Sequence, residues 1–136
     1  MKIKLFKNVQ LPKKSHLPDS GLDCFMPESF ELRPFETKTI GLGIGIQIPE
    51  GFAGMLVPRS SIAEQGLLVQ TSIIDPDYTG EIHLIITNCS TNTINIEKNQ
   101  RVCSLVVYNV LNVRLDVVYS FDNTERGNKG LGSTGK

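Results

Sequence analysis

The stretch "TIGLGIGIQIP", Thr39 to Pro49, places Ile40, Leu42, Ile44, Ile46 and Ile48 on one face of an extended chain. Thr39, Gly41, Gly43, Gly45 and Gln47 fall on the other face. A period of two is the signature of a β-strand, because successive side chains point to opposite sides. The aliphatic face belongs in a core. The glycine face carries no side chains to pack, so it belongs close against a neighbouring backbone.

Working outward, "GEIHLIITN" (80–88), "QRVCSLVVYNV" (100–110) and "VRLDVVYSF" (113–121) read as further apolar strands. The N-terminal "MKIKLFKNVQ" alternates in the same way and lacks the apolar run of a signal peptide. Prolines at 12, 18, 27, 34, 49, 58 and 76 punctuate the intervals. Short strands at regular spacing predict an all-β fold, a distorted jelly roll or β-barrel. One short helix is expected at "SSIAEQG" (60–66), opened by a serine cap at Ser60 and stopped by Gly66. Residues 1–121 read as the β core and 122–136 as a flexible glycine-rich arm, with almost nothing apolar to bury.

The 136 residues suit a single domain with a real core. Lysine plus arginine equals aspartate plus glutamate at 14 each, so no overall field gathers nucleic acid or an anionic membrane. No segment has the length to span a bilayer. Tryptophan is absent and aromatics make up 7%, which argues against a stacking platform for single strands. Cys24, Cys89 and Cys103 are too far apart for a metal motif and odd in number. They are expected to be small buried or half-buried residues of a cytoplasmic protein in a reducing compartment.

The arm ends in "GLGSTGK", which fits the pattern G-x-x-x-x-G-K of a phosphate loop. That motif needs a strand before it, and a hydroxyl residue and a helix after it, and the sequence supplies neither beyond Lys136. The composition still suits an anion: glycines allow close backbone approach, Arg126 and Lys129 bring charge, and Ser133 and Thr134 bring hydroxyls.

Three other segments carry chemistry. In "VPRSSIAEQG" a strand ends at Pro58 and delivers Arg59, Ser60 and Ser61 to a helix start, a cationic setting for phosphate. In "SIIDPDYTGEIHL" two strands flank a hairpin-like corner, with Asp75 at a strand end, partly desolvated and able to orient and deprotonate a water. In "SGLDCF" Asp23 sits in a strand, where aspartate is disfavoured. It therefore needs a partner: an arginine, a cation shell or a loop amide. His16, in a polar loop, and His83, in an alternating strand, are not read as catalytic.

Taken in order, these pieces resemble the trimeric dUTPase family along nearly the whole chain. "SGLDCF", "PRSSIAEQG", "SIIDPDYTGEI", "NQRVCSLVV" and "RGNKGLGSTG" match its five motifs, the second, third and fifth most specifically. The resemblance implies hydrolysis of dUTP to dUMP and pyrophosphate, which limits uracil incorporation into DNA. It implies that Asp75 activates the water attacking the α-phosphorus. Tyr78 lies against the deoxyribose and excludes a 2′-hydroxyl. Uracil is read by the backbone of a hairpin from about Leu68 to Ile74, including Ser72. Arg59, Ser60, Ser61 and Ser104 hold phosphates. Arg126, Leu131, Gly132, Ser133 and Thr134 close over the nucleotide as a lid. Mg²⁺ rides mostly on the triphosphate, with Asp23 an outer-shell partner through water. A homotrimer with shared active sites is implied as well.

The match has departures. Asn99 stands where glycine is usual, and asparagine tolerates the left-handed turn. Ser104 replaces a longer glutamine, Ser72 a glycine, Lys129 a glycine, and Leu131 the phenylalanine that covers the base. These affect affinity more than the chemical step. Two rival readings stay open. One is a dCTP deaminase of the same fold using Glu64. The other is a nucleotide sensor that binds dUTP and a protein partner without turnover.

Overall fold

A computed structural model describes residues 1–130. Among them are eleven strands and one short helix, in the order β1 (Lys2–Leu5), β2 (Gly21–Phe25), β3 (Phe30–Leu32), β4 (Thr37–Gly41), β5 (Ile44–Gln47), β6 (Phe52–Pro58), α1 (Ser60–Ala63), β7 (Leu67–Val69), β8 (Ile73–Ile74), β9 (His83–Asn88), β10 (Ile94–Ile96) and β11 (Arg101–Asn109). The fold is all-β and jelly-roll-like, as its sequence period predicts. It does not close into one barrel. The strands form four sheets, ordered β1-β5, β10-β3, β2-β11-β6-β8 and β4-β9-β7.

The aliphatic face of the opening stretch is in the core: Leu42, Ile44, Ile46 and Ile48 are buried and Ile40 packs against them. The stretch is two strands rather than one. Gly43 takes a φ of +73°, a left-handed conformation open to glycine at little cost, and bends β4 away from β5. The glycine face does meet backbone. A Cβ at Gly45 would lie 2.7 Å from the carbonyl oxygen of Gly80.

Helix α1 is shorter than expected and is not opened by a serine. Its N-cap is Arg59, whose side chain makes no capping bond, and Ser60 is the first helical residue. The chain then turns out through Gly66 at a φ of +78°. The segments flanking the Asp75 corner do not form a hairpin. β8 pairs with β6 while β9 pairs with β4 and β7, so the corner carries the chain between sheets. The segment from Leu68 to Ile74 likewise crosses sheets, because β7 joins β9 and β8 joins β6.

The strand expected at 113–121 has no ladder in this chain. Val113, Leu115, Val117, Tyr119 and Phe121 stand exposed, and no strand among the described residues pairs with them. Cys24 and Cys103 are buried as expected, whereas Cys89 is exposed, and all three are free thiols. Among the described residues no helix is long and apolar enough to cross a membrane.

Candidate functional site

The four-stranded sheet β2-β11-β6-β8 carries both candidate half-sites. At one end lies an open cleft of about 630 Å³, lined by Ser15, His16, Asp23, Arg59, Ser60, Ser61, Arg101 and Ser104 among others. Asp23 is its organising residue. It is only 6% exposed, yet it is fully partnered. Its Oδ1 pairs with the guanidinium of Arg59 and accepts from Ser104 Oγ at 2.9 Å. Its Oδ2 accepts from Ser15 Oγ at 2.9 Å and from Arg101 Nη1 at 3.1 Å. Of the partners Asp23 could have had, the arginine is the one found, twice over. Burial alone would push its carboxyl up. The bonds from Arg59, Ser104 and Ser15 outweigh that and hold it below the usual aspartate range.

Local geometry explains why these residues meet. Ser104 stands opposite Asp23 in the β11–β2 ladder, and at Gly21 an added Cβ would come within 2.9 Å of Ser104 Cβ, so only glycine lets the strands close there. Arg101 and Ser104 are three apart and would face opposite sides of a regular strand. The β11 register shifts between Arg101 and Cys103, leaving Val102 as an extra residue, and both side chains reach Asp23. Arg59 is pinned through its backbone, its N–H donating to Val102 O at 3.1 Å. A four-residue helix sums too few peptide dipoles to matter here, so the cations of the cleft are Arg59 and Arg101, set against the carboxylates of Asp19 and Asp23 in the same lining. Arg101 carries no signal in the sequence; only the bulge reveals it.

The other half-site is a cavity of about 240 Å³ lined by Ser72, Ile73, Ile74, Asp75, Tyr78, Glu81, Ile82, His83 and Ile85. Asp75 directly follows β8, at a strand end as expected. Within the single chain it is exposed rather than desolvated. A turn bond from Tyr78 N–H to Asp75 O at 3.2 Å fixes the spacing of these two residues. Tyr78 donates its hydroxyl to the main-chain oxygen of Glu81 at 2.6 Å, and His83 Nδ1 lies 2.9 Å from that same oxygen.

The two half-sites share no lining residue. Ile74 pairs with Gly54 near the start of β6, whereas Arg59 follows its end. At roughly 3.3 Å per residue this separates Asp75 from Arg59 by about 20 Å along the strand. Arg126 lines neither cavity and donates Nε–H to Lys129 O at 3.2 Å. Leu131, Gly132, Ser133 and Thr134 lie outside the described residues. Glu64, the residue a deaminase would need, is exposed at the end of α1 and lines neither half-site.

The donor set does not make a protein-held metal centre. Among the described residues no group of three or more His, Cys, Asp or Glu converges on a point. The carboxylate of Asp23 spends its acceptor capacity on two guanidiniums and two hydroxyls. The described residues therefore do not provide for a resident ion in this cleft.

The family model described as dUTPase matches residues 7–135. The deoxyuridine 5′-triphosphate nucleotidohydrolase of Hydrogenobaculum sp. (strain Y04AAS1) is 38% identical over 136 residues, covering 97% of this chain and 94% of that protein. Its counterpart from Corynebacterium glutamicum is 36% identical, covering 98% and 93%. Among solved structures, the Staphylococcus bacteriophage 80alpha dUTPase with dUpNHpp superposes with a TM-score of 0.94 at 28% identity, covering 99% of this chain and 98% of that one. The chain is an enzyme of the nucleotide-hydrolase class. It belongs to the dUTPase family.

Proposed function

We propose that this protein hydrolyses dUTP to dUMP and pyrophosphate and so limits the incorporation of uracil into DNA. The observation that carries this reading is the division of labour along β6. A polar cleft carrying Arg59 and Arg101, whose charges are balanced by Asp19 and Asp23, stands at one end, and a small, largely apolar pocket bearing Asp75 and Tyr78 at the other. The first suits phosphates, the second a pyrimidine nucleoside.

A nucleotide whose α-phosphorus meets Asp75 cannot place its outer phosphates on Arg59 of the same chain across about 20 Å of strand. On this reading the cleft of one copy and the pocket of another face each other, which supports the shared-site homotrimer of the proposal. The exposed apolar residues between 110 and 121 supply surface for that association.

In the assembled site Asp75 accepts a proton from a water lying in line behind the α-phosphorus. The water oxygen bonds to phosphorus as the bond to the bridging oxygen breaks, and pyrophosphate leaves. Such base assistance is typically worth 10²–10⁴-fold in rate. The remainder is positioning and charge stabilisation, which explains why the chemistry needs no serine or cysteine nucleophile. Ser60 and Ser61 donate to phosphate oxygens, and Ser104 joins them by turning its one hydroxyl proton away from Asp23. Ser72 and Ile74 line the base pocket, and Tyr78 packs on the deoxyribose. The arm, through Arg126, Leu131, Gly132, Ser133 and Thr134, closes over the bound nucleotide. Mg²⁺ is part of the substrate, carried by the triphosphate. For Asp23 to reach that ion through water, one of its four present partners must give way.

Pyrophosphate release measured with dUTP, dTTP, dCTP and UTP tests the reading. Turnover of dUTP alone is expected, lost in Asp75→Asn with binding retained. Ammonia release from dCTP would establish a deaminase instead. Tight dUTP binding with no product from the unaltered protein would establish a sensor.

A further inference from the structure

The glycine face of the 39–49 stretch does more than admit a neighbouring strand. The turn that carries Tyr78 is seated on it. Leu42 N–H donates to Ile82 O at 2.9 Å and Ile82 N–H to Ile44 O at 2.8 Å. Between them, Glu81 turns its carboxylate inward, and Oε1 accepts the N–H of Gly43 at 2.8 Å. The carboxylate lies so close over the strand that a Cβ at Gly41 would sit 2.5 Å from Oε1. Residue 81 is thus held at both ends of its side chain, and its main-chain oxygen receives the Tyr78 hydroxyl. The phenol end of the Tyr78 ring in turn lies over Gly80, where an added Cβ would come 2.6 Å from Oη and 2.7 Å from Cζ.

We propose that Gly80 and Glu81 are the specificity-positioning residues of this enzyme: they fix the ring of Tyr78 at the depth that separates a 2′-deoxyribose from a ribose. This rests on the reading of Tyr78 as the residue facing the sugar. A tyrosine 43% exposed and untethered could swing aside and admit one more hydroxyl. Here the hydroxyl bond removes the swing, the missing side chain at 80 sets the depth, and the carboxylate of Glu81 keeps the acceptor in place. Glu81 touches neither the reacting phosphorus nor the attacking water, so it acts through Tyr78.

The test is kcat/KM for dUTP and for UTP in the full-length assembled enzyme. The variants are Tyr78→Phe, Gly80→Ala, Glu81→Ala, Glu81→Gln and, as a reference, Tyr78→Ala. Loss of one tethering bond is expected to lower the dUTP-to-UTP preference on the order of tenfold in Tyr78→Phe, Gly80→Ala and Glu81→Ala. The change should come mostly from better use of UTP. Glu81→Gln keeps an amide oxygen for Gly43 N–H and should hold the preference near its original value. Tyr78→Phe removes only a hydroxyl, so it reads the tether even if the other variants fold poorly. If Tyr78→Ala lowers the preference while Tyr78→Phe, Gly80→Ala and Glu81→Ala leave it intact, Tyr78 works by bulk alone and the positioning role is wrong. If Tyr78→Ala also leaves the preference intact, the sugar-facing reading of Tyr78 fails and this inference falls with it.

Discussion

Asp75 and Arg59 belong to opposite ends of one strand, β6. Asp75 enters beside its start through the pairing of Ile74 with Gly54, and Arg59 extends from its end at Pro58. On the proposed reading, the base pocket and the phosphate cleft of one chain lie too far apart to serve the same nucleotide. Two inactive variants should rescue each other. Asp75→Asn and Arg59→Gln, each inactive alone, are expected to recover activity when unfolded together and reassembled. With random mixing, roughly a quarter of the sites combine an intact Asp75 with an intact Arg59. No recovery in mixtures shown to contain hetero-oligomers would mean that each site is built within one chain.

The Asp23 cluster predicts a pH dependence of stability. Its carboxyl is held below the usual range in the folded protein, so the folded state binds its proton less readily than the unfolded chain does. The resulting stabilisation is fully present above the ordinary aspartate value of about 4 and is lost as pH falls through the lower folded value. Urea unfolding of the wild type and Asp23→Asn should show a constant difference near neutrality that shrinks in acid. A difference that grows as pH falls would contradict the cluster.

Phe35 takes a φ of +60°, as the third residue of a turn in which Glu36 N–H donates to Arg33 O at 3.1 Å. With Pro34 before it, this is the pattern of a type II turn, which favours glycine at that position. A left-handed phenylalanine costs roughly 1–2 kcal/mol, and its ring is 70% exposed and gains little. Phe35→Gly should stabilise the fold by about 0.5–1 kcal/mol after allowing for the freer unfolded chain. An unchanged or lowered thermal midpoint would show that the ring makes a compensating contact in the assembled protein.

Truncation before Arg126 removes no strand and no core residue among the described ones. Circular dichroism and melting should therefore stay as in the full chain, while dUTP turnover falls on the order of 10²-fold through lost positioning. Full activity without the arm would remove it from the proposed site.

The sequence revealed the strands and the buried face of 39–49 because alternation reports burial directly, residue by residue. It also placed Asp75 at a strand end and allowed Asn99 its left-handed turn, observed at a φ of +65°. What it could not show depended on pairing between distant segments. Arg101 joins Asp23 only because of an extra residue in β11, and a bulge leaves no mark in a pattern of alternating residues. β8 and β9 look like a hairpin in the sequence because a turn separates them, yet each finds its partner in another sheet. The 113–121 segment alternates like a strand, but pairing needs a partner edge, and none among the described residues takes it. The strand end at Asp75 was legible; its exposure was not, because burial at a turn depends on which distant segments pack over it.

The three free cysteines divide into two closed sites and one open one. Cys24 and Cys103 face each other across the β2–β11 ladder at full burial, and the thiol of Cys103 is pushed far above its ordinary range by Cys24 and by burial. Cys89 stands at the surface beyond β9, its N–H bonded to Gly66 O, away from both cavities. The folded chain thus offers maleimide chemistry one exposed attachment point, so a fluorophore can be installed outside both cavities.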